Sequence, residues 1–174
     1  NLEALARHRL AMRTIHSVTS PDTRVTLLGH TLSLPVLAAP IGGVSFNMGG
    51  AISEGEYVSA VLEGCKSRGT LGCTGDGVPD FIHETGFQVI QRLGGGGIPF
   101  IKPWESDELV FKLQKAVERG ARIVGIDVDA VGLVTLRKMG RPVSPRPAAA
   151  LKELIEQTPA KVILKGIMTV EDAR

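Results

Sequence analysis

An α/β fold built on a parallel sheet is predicted by three features of the sequence. From residue 34 onward, short apolar segments alternate with helical stretches, an order that calls for crossovers between parallel strands. Those segments are apolar throughout and not only at every second residue, so both faces of the sheet must be covered. The chain also combines 21 glycines with only 4% aromatic residues, which suits aliphatic layers joined by tight turns. An open doubly wound sheet would usually carry G-x-G-x-x-G after its first strand, and that signature is absent. The only glycine cluster that could suggest a nucleotide loop, LGGGGIP at 93–99, precedes a strand and has no Lys-Ser/Thr, so it reads as a helix-to-strand connection. The predicted architecture is therefore a (β/α)8 TIM barrel. Such barrels take ~250 residues, and the 174 residues here are expected to hold about the first five β/α units.

The elements follow in order. Residues 1–33 are expected to form an amino-terminal helix over 2–13 and a short strand, VTLLG at 25–29, before a turn at His30. Residues 34–174 are expected to hold barrel strands one to five. LPVLAAP (34–40) is the first strand, followed by a Gly-rich loop and a helix opened by Ser53 with Glu56 at capping-box spacing. TLGCT (70–74) is the second, and the stretch from Val78 to Leu93 supplies its helix. IPFIK (98–102) is the third, its helix starting near Ser106 with Asp107 and Glu108 where the helix dipole favours acids. RIVGIDVD (122–129) is the fourth, and Ser144 with Pro145 predicts a helix through about Gln157. VILKGI is the fifth, after which Thr169 and Asp172 resemble the cap of a further helix.

Composition excludes several classes. The net charge is +2 and the basic residues are scattered, which gives no support to nucleic-acid or membrane-surface binding. Cys65 and Cys73 lack metal-ligand spacing, so no metal site is expected and two buried thiols in a reducing compartment are. No apolar run approaches the ~18 residues of a membrane helix, and the amino terminus lacks an apolar signal core; a cytoplasmic protein is expected.

In such barrels the reactive groups lie at the carboxyl ends of strands. Those ends are 39–43, 74–76, 102–104, 127–129 and 165–166. Lys165 interrupts an apolar strand, where an ammonium is costly unless something negative or polar meets it. Asp127 and Asp129, two apart, are expected on one strand face, where they can bind a divalent metal, hold a lysine or hydrogen-bond a flavin or sugar. Lys102 lies near the same mouth, and either lysine can instead reach solvent at the rim. His8, His16, His30 and His83 are expected to be structural or surface residues, none near a strand's carboxyl end. Trp104, the only tryptophan, can wall the pocket or serve the core.

PDTRVTLLGHTLSLPVLAAP (21–40), the Gly55-Glu56 pair and above all ILKGIMTVEDA (163–173) resemble the FMN-dependent α-hydroxy acid oxidase and dehydrogenase family, which includes lactate oxidase and glycolate oxidase. The resemblance implies FMN across the barrel mouth. Ala39, Pro40, Ile41 and Gly42 would present backbone to the ring, with Thr74 and Gly75 at its edge. Lys102 would stand where the family usually has glutamine, Asp127 where it has threonine, and Trp104 where it has a tyrosine at the substrate end. Lys165 would approach N1 and O2 of the flavin and stabilise charge on the reduced ring, which makes it the catalytic candidate. The implied reaction oxidises a small 2-hydroxy acid to the 2-oxo acid. The general base, the carboxylate clamp and the phosphate site would belong to the remaining carboxyl-terminal barrel half, so the fragment alone is expected to be inactive. Tetramers or octamers are implied. The alternatives are an FMN-dependent isomerase similar to type 2 isopentenyl diphosphate isomerase, and a non-catalytic half-barrel.

Overall fold

The computed structural model describes residues 2–141 and 143–174, with the side chain of Ser106 outside the description. The amino-terminal helix is much shorter than predicted: α1 spans Leu2–Ala6, and the chain to residue 24 is irregular and exposed. No face of that stretch is buried, and a helix under ~12 residues without a packing partner is marginal in water. β1 (Val25–Leu27) and β2 (His30–Leu32) then pair as an antiparallel hairpin. His30 thus opens a strand and is not the turn, which is Leu28-Gly29, both with positive φ.

The main sheet has five parallel strands in the sequential order β3-β4-β5-β6-β7. They are β3 (Leu37–Ala38), β4 (Leu71–Thr74), β5 (Ile98–Ile101), β6 (Ile123–Asp127) and β7 (Lys161–Lys165). Each neighbour in space is the next in sequence, as in a barrel wall, with no reversal of strand order such as a doubly wound sheet requires. β3 is shorter than the predicted 34–40 because it pairs on one side only, and Pro35 and Pro40 cannot donate to a ladder.

Between β3 and β4 lie a short α2 (Val44–Asn47) and α3 (Glu54–Ser67), the latter opened by the predicted capping box: Glu56 N donates to Ser53 Oγ at 3.2 Å and Ser53 N to Glu56 Oε2 at 2.9 Å. α4 (Phe81–Arg92) and α5 (Ser106–Glu118) follow their strands as expected. β6 ends earlier than predicted, and Val128–Gly132 turns as a 3-10 helix. A short α6 (Val134–Lys138), unforeseen, precedes α7 (Ala148–Gln157), which starts after Pro147 and not at Ser144. Beyond β7, Asp172 N donates to Thr169 Oγ1 at 3.1 Å, the predicted cap.

Two apolar layers result. One face of the sheet packs Ile101, Val124 and Ile126 against Val58, Leu62, Phe87, Ile90, Leu109 and Leu113 of the helices. The other gathers Cys73, Ile98, Phe100 and Ile123 with Leu37, Leu71 and Ile163, the residues that fill a barrel interior. Cys73 is buried there and its thiol is pushed up to about 12, chiefly by burial, whereas Cys65 is only half-buried.

Candidate functional site

Because strand side chains alternate, the interior layer continues at the carboxyl ends with Gly75 after Cys73, Lys102 after Phe100, Asp127 after Gly125 and Lys165 after Ile163. The registers align them: Asp127 is opposite Lys165, and Ile101 is opposite Ile126, so Lys102 comes level with Asp127. The result is a row of alternating charge. Lys102 Nζ lies 3.5 Å from Asp127 Oδ2, and Lys165 Nζ donates to Asp127 Oδ1 at 2.6 Å. The expectation that Asp127 and Asp129 share a strand face is corrected, since Asp129 sits in the 3-10 turn. It reaches Lys165 from there, accepting at 2.9 and 3.1 Å. Gly166 makes this possible: its φ is +103°, and a Cβ there would meet the Asp129 side chain at 2.5 Å.

Electrostatics within the row are mutual. Burial pushes the Asp127 carboxyl up, as does the neighbouring Asp129, with Lys165 and Lys102 opposing. Asp129 is held down by its hydrogen bonding with Asp127 and Lys165. Burial alone would lower Lys165, but the two carboxylates outweigh it and raise it. Its amine is bonded to both carboxylates while the side chain stays 39% exposed.

Next to the row is a cavity of about 240 Å³ lined by Pro40, Ile41, Gly42, Gly75, Asp76, Phe100, Lys102 and Asp127. Six of the sequence-predicted site residues line it: Pro40, Ile41, Gly42, Gly75, Lys102 and Asp127. Gly75 N donates to Ile41 O at 3.2 Å, and a Cβ on Gly75 would collide with Gly42 N, so glycine lets the β3 and β4 ends close together. Glu54, buried, receives Gly43 N at 3.1 Å and Val44 N at 2.9 Å and so fixes that loop.

Other predicted residues stand elsewhere. Lys165 is beside the cavity, bonded to its wall through Asp127, and Ala39, one residue before Pro40, does not line it. Thr74 is buried on the helix side, where a Cβ on Gly86 would meet its Oγ1 at 2.7 Å, so only its backbone can approach the mouth. Trp104 is 1% exposed and off the cavity wall, in the helix-side core. Its Nε1 donates to Asp76 Oδ2 at 2.6 Å.

Asp76 was not singled out by sequence, yet four donors converge on it. Besides Trp104 they are Lys102 N at 3.1 Å, Gly77 N at 2.8 Å and Lys112 Nζ at 3.2 Å. His83 Nδ1 is 3.3 Å from Asp76 Oδ1, which corrects the expectation that no histidine lies near a strand's carboxyl end: the ring is buried and reaches the end of β4. Burial pushes Asp76 up, but His83, Lys112 and the other donors outweigh it and hold the carboxyl below its usual range. The signal that could have found it was weak, a lone acid between two glycines.

A flavin fits the chemistry of this donor set. Two ammoniums flanking a carboxylate offer donor, acceptor and donor in sequence, which complements a pyrimidine edge carrying carbonyl acceptors on either side of an N–H. The cavity itself is smaller than the ~300–1,000 Å³ of a complete ligand pocket, consistent with one wall of a larger site. Among the described residues no cluster of His, Cys, Asp and Glu could hold a metal ion.

The chain belongs to the FMN-dependent dehydrogenase family, whose family model matches residues 1–139. The ILKGIMTVEDA stretch lies beyond the matched part. A mandelate oxidase with (S)-mandelic acid superposes with a TM-score of 0.70 at 19% identity, over 99% of this chain and 53% of that one. A flavocytochrome b2 variant with sulfite bound gives 0.73 at 15% identity, over 98% of this chain and 45% of that one. A monotopic membrane protein, an (S)-mandelate dehydrogenase, gives 0.56 at 15% identity, covering 83% and 37%. At these identities the likeness establishes the fold, a (β/α)8 barrel of which this chain forms part. The chain spans about half the length of the first of these relatives. No curated protein sequence matches it.

Proposed function

We propose that this chain forms the amino-terminal part of an FMN enzyme that oxidises a small 2-hydroxy acid to the 2-oxo acid. The observation that carries the reading is the row Lys102–Asp127–Lys165 at the carboxyl ends of three adjacent strands, opening on a cavity walled by Pro40, Ile41 and Gly42. The backbone of 39–42 and Gly75 would lie against the ring, with Thr74 contributing main chain only. Asp127 would accept from the ring N–H, and Lys102 and Lys165 would meet the flanking carbonyl edges. Bound FMN supplies the two-electron acceptor to which the substrate delivers hydride, while its hydroxyl proton passes to a base. The ammoniums hold charge where it develops, an arrangement that needs no reorganisation during reaction. No base or carboxylate clamp is assigned to the described residues, so the chain by itself is expected to be inactive.

A small 2-hydroxy acid of the lactate or glycolate kind is the proposed substrate, in a cytoplasmic homo-oligomer. No helix of the described residues is long and apolar enough to cross a membrane. In the isomerase alternative the two lysines would favour a phosphorylated substrate, but Asp127 and Asp129 lie beside them and would repel one. Trp104 would act on the substrate end indirectly, through Asp76 and the strand it holds. The test is optical: the purified natural protein should carry flavin absorbance, or acquire it with added FMN, and should bleach without oxygen when its 2-hydroxy acid is added. Failure to take up FMN contradicts the proposal.

A further inference from the structure

Glu54 is only 4% exposed, yet among the described residues no lysine, arginine or histidine side chain pairs with it. A carboxylate hidden in this way is costly unless hydrogen bonds replace its water. Each of its oxygens has a main-chain donor: Oε1 accepts from Gly43 N at 3.1 Å and Oε2 from Val44 N at 2.9 Å. These are consecutive N–H groups, and Gly43 has the left-handed backbone, φ +75°, that turns neighbouring N–H groups into a concavity for an anion. Here the anion is a side chain of the same protein. A carboxamide of equal size does not suit the place, because its NH2 group would face one of the two N–H donors.

The clamp comes from a rigid element and acts on the cavity wall. Glu54 is the first residue of α3, whose Val58 and Leu62 are buried in the core and whose start is fixed by the Ser53–Glu56 capping box. Gly43 and Val44 directly follow Pro40, Ile41 and Gly42, which line the cavity. That segment is also tied to β4, where Gly75 N donates to Ile41 O at 3.2 Å. We infer, on the FMN reading above, that Glu54 is a positioning residue for the flavin: without touching the ring, it sets the backbone of 40–42 in its ring-facing conformation before FMN arrives. Binding then spends little free energy on ordering the loop, whereas a loop freed from the clamp would have to be ordered by FMN, with a loss of affinity.

Titration of the natural protein with FMN, read together with the visible circular dichroism of the bound flavin, tests this. Glu54→Gln should weaken FMN binding about tenfold, the loss of one hydrogen bond to a charged group, and should alter the dichroism because the ring sits differently on its wall. Ile90→Val, in the core against Gly97 at the start of β5, lowers stability without reaching the mouth and should leave both readings at wild type. In the unsubstituted protein without FMN, the Gly43 and Val44 amides should already be protected from hydrogen exchange, a measurement that needs no variant to fold. Equal affinity and dichroism in wild type and Glu54→Gln overturn the inference, as does an equal loss in Ile90→Val. Free exchange of the two amides in the FMN-free protein overturns it whatever the variants do. A wild type that binds no FMN while those amides are protected overturns the FMN reading, and the flavin role of Glu54 with it, but leaves the clamp standing.

Discussion

Asp76 accepts hydrogen bonds from Gly77 N, Lys102 N, Trp104 Nε1 and Lys112 Nζ, while its side chain has no exposed surface. A buried carboxylate of this kind is tolerated because its partners replace water, and removing it leaves Lys112, itself buried, without its fully buried counter-ion. Lys112 keeps Glu108 at 3.1 Å. Asp76→Ala should therefore cost about 3 kcal/mol, the lower end of what breaking a buried pair costs, read as a lower urea midpoint. The pH dependence has a definite sign. The folded-state carboxyl of Asp76 titrates below its unfolded value, so the unfolded chain binds the proton more readily. Its contribution is complete above about pH 4 and is lost as pH falls through the folded value. The wild type should thus lose stability more steeply than Asp76→Ala on acidification below pH ~4. In the sequence Asp76 was visible only as part of the 74–76 strand end, and its partner Lys112 was not legible at all. Lys112 follows Glu108 by four on α5, which reads as a solvent-facing pair, and only the approach of β4, β5 and α5 shows that the ammonium points inward.

The elements themselves were more legible than their limits. Lys102, Asp127 and Lys165 stood out because each interrupts an otherwise apolar strand near its carboxyl end, and an alternation of two sends all three to one face. Asp129 obeyed a different geometry: spacing put it on the strand, but the chain coils at Val128 and brings it round over Gly166. The amino-terminal helix failed for a related reason, since a helical pattern stabilises little where no surface receives it. The loop after β3 and the end of β4 meet backbone to backbone at Gly42 and Gly75. Gly75→Ala should push the 40–42 loop away from the cavity and cost about 1–3 kcal/mol, as overpacking does. Thermal unfolding would register the loss, and amide exchange at Gly75, whose N–H now donates to Ile41 O, should accelerate.

At the scale of the molecule, sequential parallel order explains why residues far apart in sequence share one mouth. Each β/α unit returns the chain in the same direction, so successive carboxyl ends accumulate on one side, and the five strands deliver 39–43, Gly75, Lys102, Asp127 and Lys165 together. That convergence was predictable from the alternation of strands and helices. The pairing within the row was not, because it depends on registers such as Asp127 with Lys165 that no local pattern specifies. The role of the charged row depends on where the flavin binds, and a structure of the protein soaked with FMN measures this directly. The expected result is a ring lying over Pro40–Gly42, with its pyrimidine edge within hydrogen-bonding distance of Lys102 and Asp127. A ring bound elsewhere, with the row left facing solvent, would contradict it.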